Sequence, residues 1–166
     1  MPRLTEPLLS LIIPVYKAEE FIEACLDSVF AQLPDRVEVI LVDDGTPDDS
    51  IKIVRHKYSG WISAGKLILL EQCNKGPGAA RNVGIRESGG AYIAFLDSDD
   101  VLLEGYFVEF LEYLHAGVVD LVEFGFIRFD GRHDASFTPY RSLYKFDGLY
   151  KLADVRAQVF AAGCWY

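Results

Sequence analysis

The chain has 166 residues, with 16 Lys and Arg against 25 Asp and Glu, a formal charge of −9. At about 100–200 residues per domain this is a single domain, and 51% apolar residues exclude a disordered acidic chain. A pI of about 4.7 argues against non-specific binding to nucleic acid or anionic membrane, which needs a basic face; the excess acid suits a divalent cation, or a substrate held through one.

Leu8 to Tyr16 is β-branched and aliphatic and reads as a first strand. Phe21, Ile22, Cys25, Leu26, Val29 and Phe30 then recur at helical spacing. Glu19, Glu20 and Glu23 fall in the expected first turns, where the macrodipole favours negative charge. Arg36 to Asp43 reads as a second strand, Asp48 to Tyr58 as a second helix and Lys66 to Glu71 as a third strand. Pro77 to Arg86 is a third helix, with Pro where its missing N–H costs little. Ala91 to Leu96 is a fourth strand, Gly105 to His115 a fourth helix, and Val118 to Phe129 a fifth strand.

Strand then helix, repeated, is the pattern of an α/β fold with a mostly parallel sheet covered by helices. The near-continuous apolar strands agree, because such a sheet is buried on both faces. After Phe129 the pattern breaks: 128 to 150 mixes Arg and Lys with aromatic residues, and Lys151 to Phe160 returns to helical spacing. The apolar ending Gly163-Cys164-Trp165-Tyr166 predicts a truncated C-terminal part. No signal-peptide pattern opens the chain, and no apolar run approaches the ~20 residues of a membrane helix. Cys25, Cys73 and Cys164 are odd in number and far apart, so reduced thiols in a cytoplasmic protein are the better reading.

In an open α/β sheet, ligands sit beyond the carboxyl ends of the strands. The first strand ends in Pro14-Val15-Tyr16-Lys17, the second in Asp43-Asp44-Gly45-Thr46-Pro47-Asp48-Asp49, and the fourth in Phe95-Leu96-Asp97-Ser98-Asp99-Asp100. Acids gathered at one edge repel each other, so a cation is expected among them. If the segment is extended, Asp97 and Asp99 point the same way and converge on one spot. Hard carboxylate oxygens suit Mg²⁺ or Mn²⁺, with phosphates and water filling the remaining positions. The plain alternative makes Asp97 a turn former and Asp100 the N-cap of the next helix. The pair Asp43 and Asp44 is either an acidic turn into a helix or an acceptor for ribose hydroxyls or a base N–H. Asn74 to Asn82, with Lys75 and Arg81, is a small-residue loop opening a helix, either a tight turn or a place of close anion approach. It matches neither dinucleotide nor P-loop spacing. His56, His115 and His133 share no ligand spacing.

With these residues in order, the chain resembles a family-two glycosyltransferase of the GT-A fold. Ser10 to Tyr16 resembles that family's opening strand, Ile40 to Thr46 its acidic strand end, Gly76 to Ile85 its G-x-x-x-A-R-N-x-G segment, and Tyr92 to Asp100 its D-x-D strand. The resemblance implies one GT-A domain over 1–166. Its nucleotide-sugar and metal half spans 8–103, and 104–166 begins an incomplete acceptor-side half. It further implies that Pro14, Val15, Tyr16, Asp43 and Asp44 hold base and ribose. Lys75, Arg81, Asp97 and Ser98 are implied to line the donor, and Asp99, helped by Asp97, to ligate Mn²⁺ or Mg²⁺. Lys17 stands where the family often has Asn.

The implied activity is inverting transfer of a sugar from a nucleoside diphosphate-sugar, UDP-linked, to a glycan or lipid-linked acceptor. A cation then stabilises charge growing on the leaving diphosphate, and a base takes the acceptor proton. Asp120, Glu123, Asp130, Asp134 and Asp147 match no acidic motif of the family, so the base is expected beyond Tyr166. Peripheral membrane contact by the parent protein is what the acceptor class implies, beside the cytoplasmic location read from the cysteines. Two alternatives differ in kind. One is a nucleotide-sugar-binding module without turnover. The other is a haloacid-dehalogenase-like phosphatase, whose nucleophile loop belongs on a first strand.

Overall fold

In the computed structural model, which describes residues 6–115 and residue 122, the first strand, β1 (Leu9–Val15), is buried at every position. Its sequence LSLIIPV has no polar face, and it lies inside the described sheet, paired along both edges. β2 (Val37–Asp43) pairs with it in parallel, Leu9 opposite Val37 through Val15 opposite Asp43. β3 (Leu67–Glu71) pairs with β2, and β4 (Tyr92–Phe95) pairs with the other edge of β1, again in parallel. The sheet order is β3-β2-β1-β4, a parallel α/β sheet as the alternating pattern predicts.

The helices are α1 (Ile22–Phe30), α2 (Ser50–Lys57), α3 (Ser59–Ser63), α4 (Pro77–Glu87) and α5 (Tyr106–His115). α1 begins later than its glutamates imply: only Glu23 lies in the first turn, while Glu19 and Glu20 precede the helix. The one-turn helix α3 has no counterpart among the predicted elements. Pro77 opens α4, as expected. Asp100 does not cap the following helix, because α5 begins only at Tyr106. Apart from residue 122, which is in neither strand nor helix, the predicted fifth strand lies outside the described residues, as do the mixed segment after it and the helix 151–160.

Core packing brings α4 down on the middle of the sheet. Ile12, Ile40, Val42 and Ala80 form one buried cluster, with Ile68, Leu70 and Val83 packed against it. Gly84 permits that approach: a Cβ there would lie 2.4 Å from Ile12 Cγ2. Burial on both faces holds for β1 but not for β4, where Ile93 and Phe95 are exposed. β4 is an edge of the sheet among the described residues. Among those residues no helix is long and apolar enough to cross a membrane.

Candidate functional site

The chain runs outward from β1 to β2 and β3, then crosses back over α4 to place β4 on the far side of β1. The strand order therefore reverses between β1 and β4, and the crevice beyond their carboxyl ends is where such a sheet takes a ligand. Pairing of β4 ends at Phe95 opposite Ile12, while β1 continues to Val15. The acidic turn thus leaves the sheet beside the last residues of β1. Pro14 fits this arrangement. Ile12 and Pro14 face the β4 side, where the ladder has ended, so the missing N–H of Pro14 removes no bond.

Asp97 to Asp100 is a turn rather than an extended segment. The Asp100 N–H donates to the Asp97 carbonyl at 3.0 Å, so strand alternation does not bring the Asp97 and Asp99 carboxylates together as expected. Arg81 reaches over from α4: its Nη2 donates to Asp97 Oδ1 at 2.5 Å, and its guanidinium lies 5.9 Å from the Phe95 ring centroid. Asp99 is exposed, and among the described residues no hydrogen bond or salt bridge holds its carboxylate. Ser98 is buried. Partial burial, then the charges of Asp99 and Asp97, push the Asp100 carboxyl above its usual range. Burial, then the charges of Asp100, Asp99 and Asp97, push the Cys25 thiol of α1 up to about 12. Negative charge at this turn is therefore only partly neutralised by Arg81.

The two aspartates after β2 have different surroundings. Asp43 Oδ1 accepts the Thr46 N–H at 2.8 Å, closing the turn through Gly45. Asp44 is 2% exposed. Its Oδ1 accepts from Gln72 Nε2 at 2.6 Å and from the Lys75 N–H at 2.8 Å, and its Oδ2 accepts from the Gly76 N–H at 2.8 Å. Burial works against the charged form. The Gln72 amide and the two backbone N–H groups outweigh it and hold the carboxyl below its usual range. Asp44 is thus a brace for the loop that opens α4, with about one of four acceptor lone pairs left. Gly45, at φ +65°, must be Gly: a Cβ would lie 2.9 Å from the Asn74 nitrogen.

The end of β1 is stitched to the start of α2. Lys17 N–H donates to Thr46 Oγ1 (2.8 Å), Ala18 N–H to Ser50 Oγ (3.1 Å) and Glu19 N–H to Asp48 Oδ2 (3.0 Å). Asp48 Oδ1 also accepts from Ser50 Oγ at 2.6 Å and Thr46 Oγ1 at 2.7 Å. Burial opposes ionisation of Asp48, but these hydroxyls and the Glu19 and Ser50 N–H groups bring it down to about 2. The sequence reading has Thr46 and Asp48 only as members of the acidic strand end, without this stitching role, and misses Ser50 and Gln72, although Thr-Pro-Asp-Asp-Ser carries the residue types of side-chain-closed turns.

Of the residues expected to hold the base, Pro14 and Val15 are buried, and only Tyr16 presents a side chain, 44% exposed. Lys17 Nζ lies 5.4 Å from the Tyr16 ring centroid. Lys75 is exposed, its N–H committed to Asp44. Among the described residues no group of three Asp, Glu, His or Cys converges as a metal cage. The donor set nevertheless fits a hard divalent cation that keeps several other ligands: one or two carboxylates, partly uncompensated, on an exposed turn. Asp99 and Asp97 are the residues that could hold it. The nucleophile-loop reading fails on topology, because Asp97 follows the fourth strand, at the edge of the described sheet.

Residues 10–165 match the family model described as glycosyl transferase family 2. An uncharacterized glycosyltransferase, EpsJ, of Bacillus subtilis (strain 168) is 38% identical over 122 residues, covering 74% of this chain and 35% of EpsJ. The chain thus spans about a third of that relative. Among solved structures, S. aureus TarS 1-349 in complex with UDP-GlcNAc aligns with a TM-score of 0.58 and 28% identity, over 65% of this chain and 31% of that one. The mannosyltransferase PcManGT from Pyrobaculum calidifontis, in complex with GDP-Man and Mn2+, aligns with a TM-score of 0.59 and 25% identity, over 66% and 33%. These neighbours are glycosyltransferases of the GT-A fold.

Proposed function

We infer that this chain, which belongs to glycosyl transferase family 2, is the donor-binding part of an enzyme that moves a sugar from a UDP-sugar to a glycan or lipid-linked acceptor, with inversion. The observation that carries this reading is the acidic turn at the switch point of the sheet, with Asp99 open and Asp97 paired to Arg81. The neighbours in complex with UDP-GlcNAc and with GDP-Man and Mn2+ support a nucleotide-sugar donor and a divalent cation.

In this reading Tyr16 offers its exposed ring to the base, and Asp43 and Asp44 order the loops around the ribose. Asp44 does so by holding the N–H groups of Lys75 and Gly76, which fixes where α4 begins. Lys75 and Arg81 supply positive charge on the donor side, with Ser98 and Asp97 beneath it. Asp99, helped by Asp97, holds Mn²⁺ or Mg²⁺, which when bound stabilises negative charge on the diphosphate as the sugar leaves. Arg81 then has two partners of opposite demand, the Asp97 carboxylate and the phosphates. The general base belongs to the acceptor side of the whole protein. A cytoplasmic location with peripheral membrane contact belongs to the same proposal.

The test is release of UDP from UDP-sugars in Mn²⁺, with and without candidate glycan acceptors. Acceptor-dependent release supports the transferase. Donor binding with no release under either condition means that this chain is a binding module only.

A further inference from the structure

Cys25, Ser28 and Gln32 follow one another at i, i+3 and i+7, one face of α1 and its C-terminal extension. All three reach the same distant segment. The Cys25 thiol donates to the Asp97 carbonyl (3.7 Å), Ser28 Oγ accepts the Leu102 N–H (3.0 Å), and Gln32 Nε2 donates to the Leu103 carbonyl (3.0 Å). Ser28 is oriented for this by donating its own proton to the Cys25 carbonyl at 2.6 Å, leaving its lone pairs for Leu102. Gln32 Nε2 is likewise shared with the Ser28 carbonyl at 3.1 Å. The backbone is thus tied to one helix before Asp99 and Asp100 and again after them. Between Phe95 and Tyr106 the chain has neither strand nor helix, so these bonds stand in for a ladder. They hold three carboxylates within one turn against their mutual repulsion.

We propose that Ser28 and Gln32 are positioning residues that fix the acidic turn for the cation. The proposal rests on the donor-site reading above and adds residues that touch neither ligand. Partners behind a metal ligand typically change metal affinity by about 10–100-fold when removed.

The experiment compares the whole chain with Ser28→Ala, Ser28→Thr and Gln32→Met. Two quantities are read: the Mn²⁺ concentration giving half-maximal UDP binding by calorimetry, and hydrogen exchange at the Leu102 amide. Ser28→Ala is expected to raise the Mn²⁺ requirement about tenfold and to speed Leu102 exchange, with metal-free UDP binding unchanged. Ser28→Thr, which keeps the hydroxyl, restores both. Gln32→Met removes the amide donor at nearly the same volume and raises the Mn²⁺ requirement in the same direction. It decides the matter if Ser28→Ala does not fold. Wild-type Mn²⁺ dependence in a folded Ser28→Ala or Gln32→Met overturns the positioning role alone. Absence of Mn²⁺-dependent UDP binding in the unmutated chain overturns the donor-site reading, and this inference with it.

Discussion

Arg81 Nη2 and Asp97 Oδ1 stand 2.5 Å apart, joining the first half of α4 to the turn after β4 across 16 residues of sequence. The pair is half in water, with side-chain exposures of 22% for Arg81 and 50% for Asp97. Such pairs contribute at most about 1 kcal/mol to folding. Its main effect is to put one cation against a turn of three acids.

Arg81→Ala is therefore expected to lower unfolding free energy in urea by no more than about 1 kcal/mol. UDP affinity is expected to fall about tenfold, from the loss of a charged hydrogen bond to phosphate. Arg81→Lys will not restore it fully, since a point charge lacks the planar fork. Calorimetry on both variants checks this; unchanged UDP affinity in Arg81→Ala removes Arg81 from the donor site.

Gly84→Ala places a methyl group where Ile12 Cγ2 is 2.4 Å away. Ile12 is β-branched and fixed in the central strand, so it cannot swing aside. The substitution is expected to destabilise by about 1–3 kcal/mol, read as a fall in urea midpoint.

Lys17 is the only residue other than Gly with positive φ among the described residues, at +54°. That conformation costs a residue with a Cβ roughly 1–2 kcal/mol, and Asn or Gly less. Lys17→Gly and Lys17→Asn are each expected to raise stability by about 0.5–1 kcal/mol in the metal-free chain. A lower melting temperature in both would mean that the Lys17 side chain, poised over Tyr16, contributes more than its backbone costs.

These cases show how far the residues alone carry the account. The four parallel strands and the α4 start at Pro77 are legible because the strands are short, near-continuous apolar runs and Pro has few places to stand. The helix Ser59–Ser63 is not, since one turn gives no periodicity to read. In the site, sequence order puts Asp43, Asp44, Asp97 and Asp99 at strand ends on one edge, and Arg81 in the helix that opens beside them. It does not say that Asp44 faces inward to brace a loop while Asp99 stays open. That depends on hydrogen bonds between segments about 30 residues apart. Ser28 and Gln32 are ordinary polar residues in the sequence, and only the docking of α1 against residues 97–103 gives them a role.

Acid stability follows from the two braced carboxylates. Asp44 and Asp48 both titrate lower in the folded chain than their ordinary value, Asp48 at about 2. Their contribution is complete above the unfolded carboxylate range, near pH 4, and is lost as pH falls toward about 2. Urea midpoints measured from pH 7 down to pH 2 are expected to drop most between about pH 4 and 2. Asp48→Asn should lower the midpoint at pH 7 and flatten that acid limb. An unchanged limb would contradict the stitching role of Asp48.

The most direct measurement is the melting temperature of the chain and of Asp99→Ala, each with UDP, with Mn²⁺ and with both. A ligand that binds only the folded state raises the melting temperature by mass action. The account predicts that UDP and Mn²⁺ together stabilise the unmutated chain beyond the sum of their separate effects, and that this excess disappears in Asp99→Ala. A variant that keeps the full excess contradicts the assignment of the cation to Asp99.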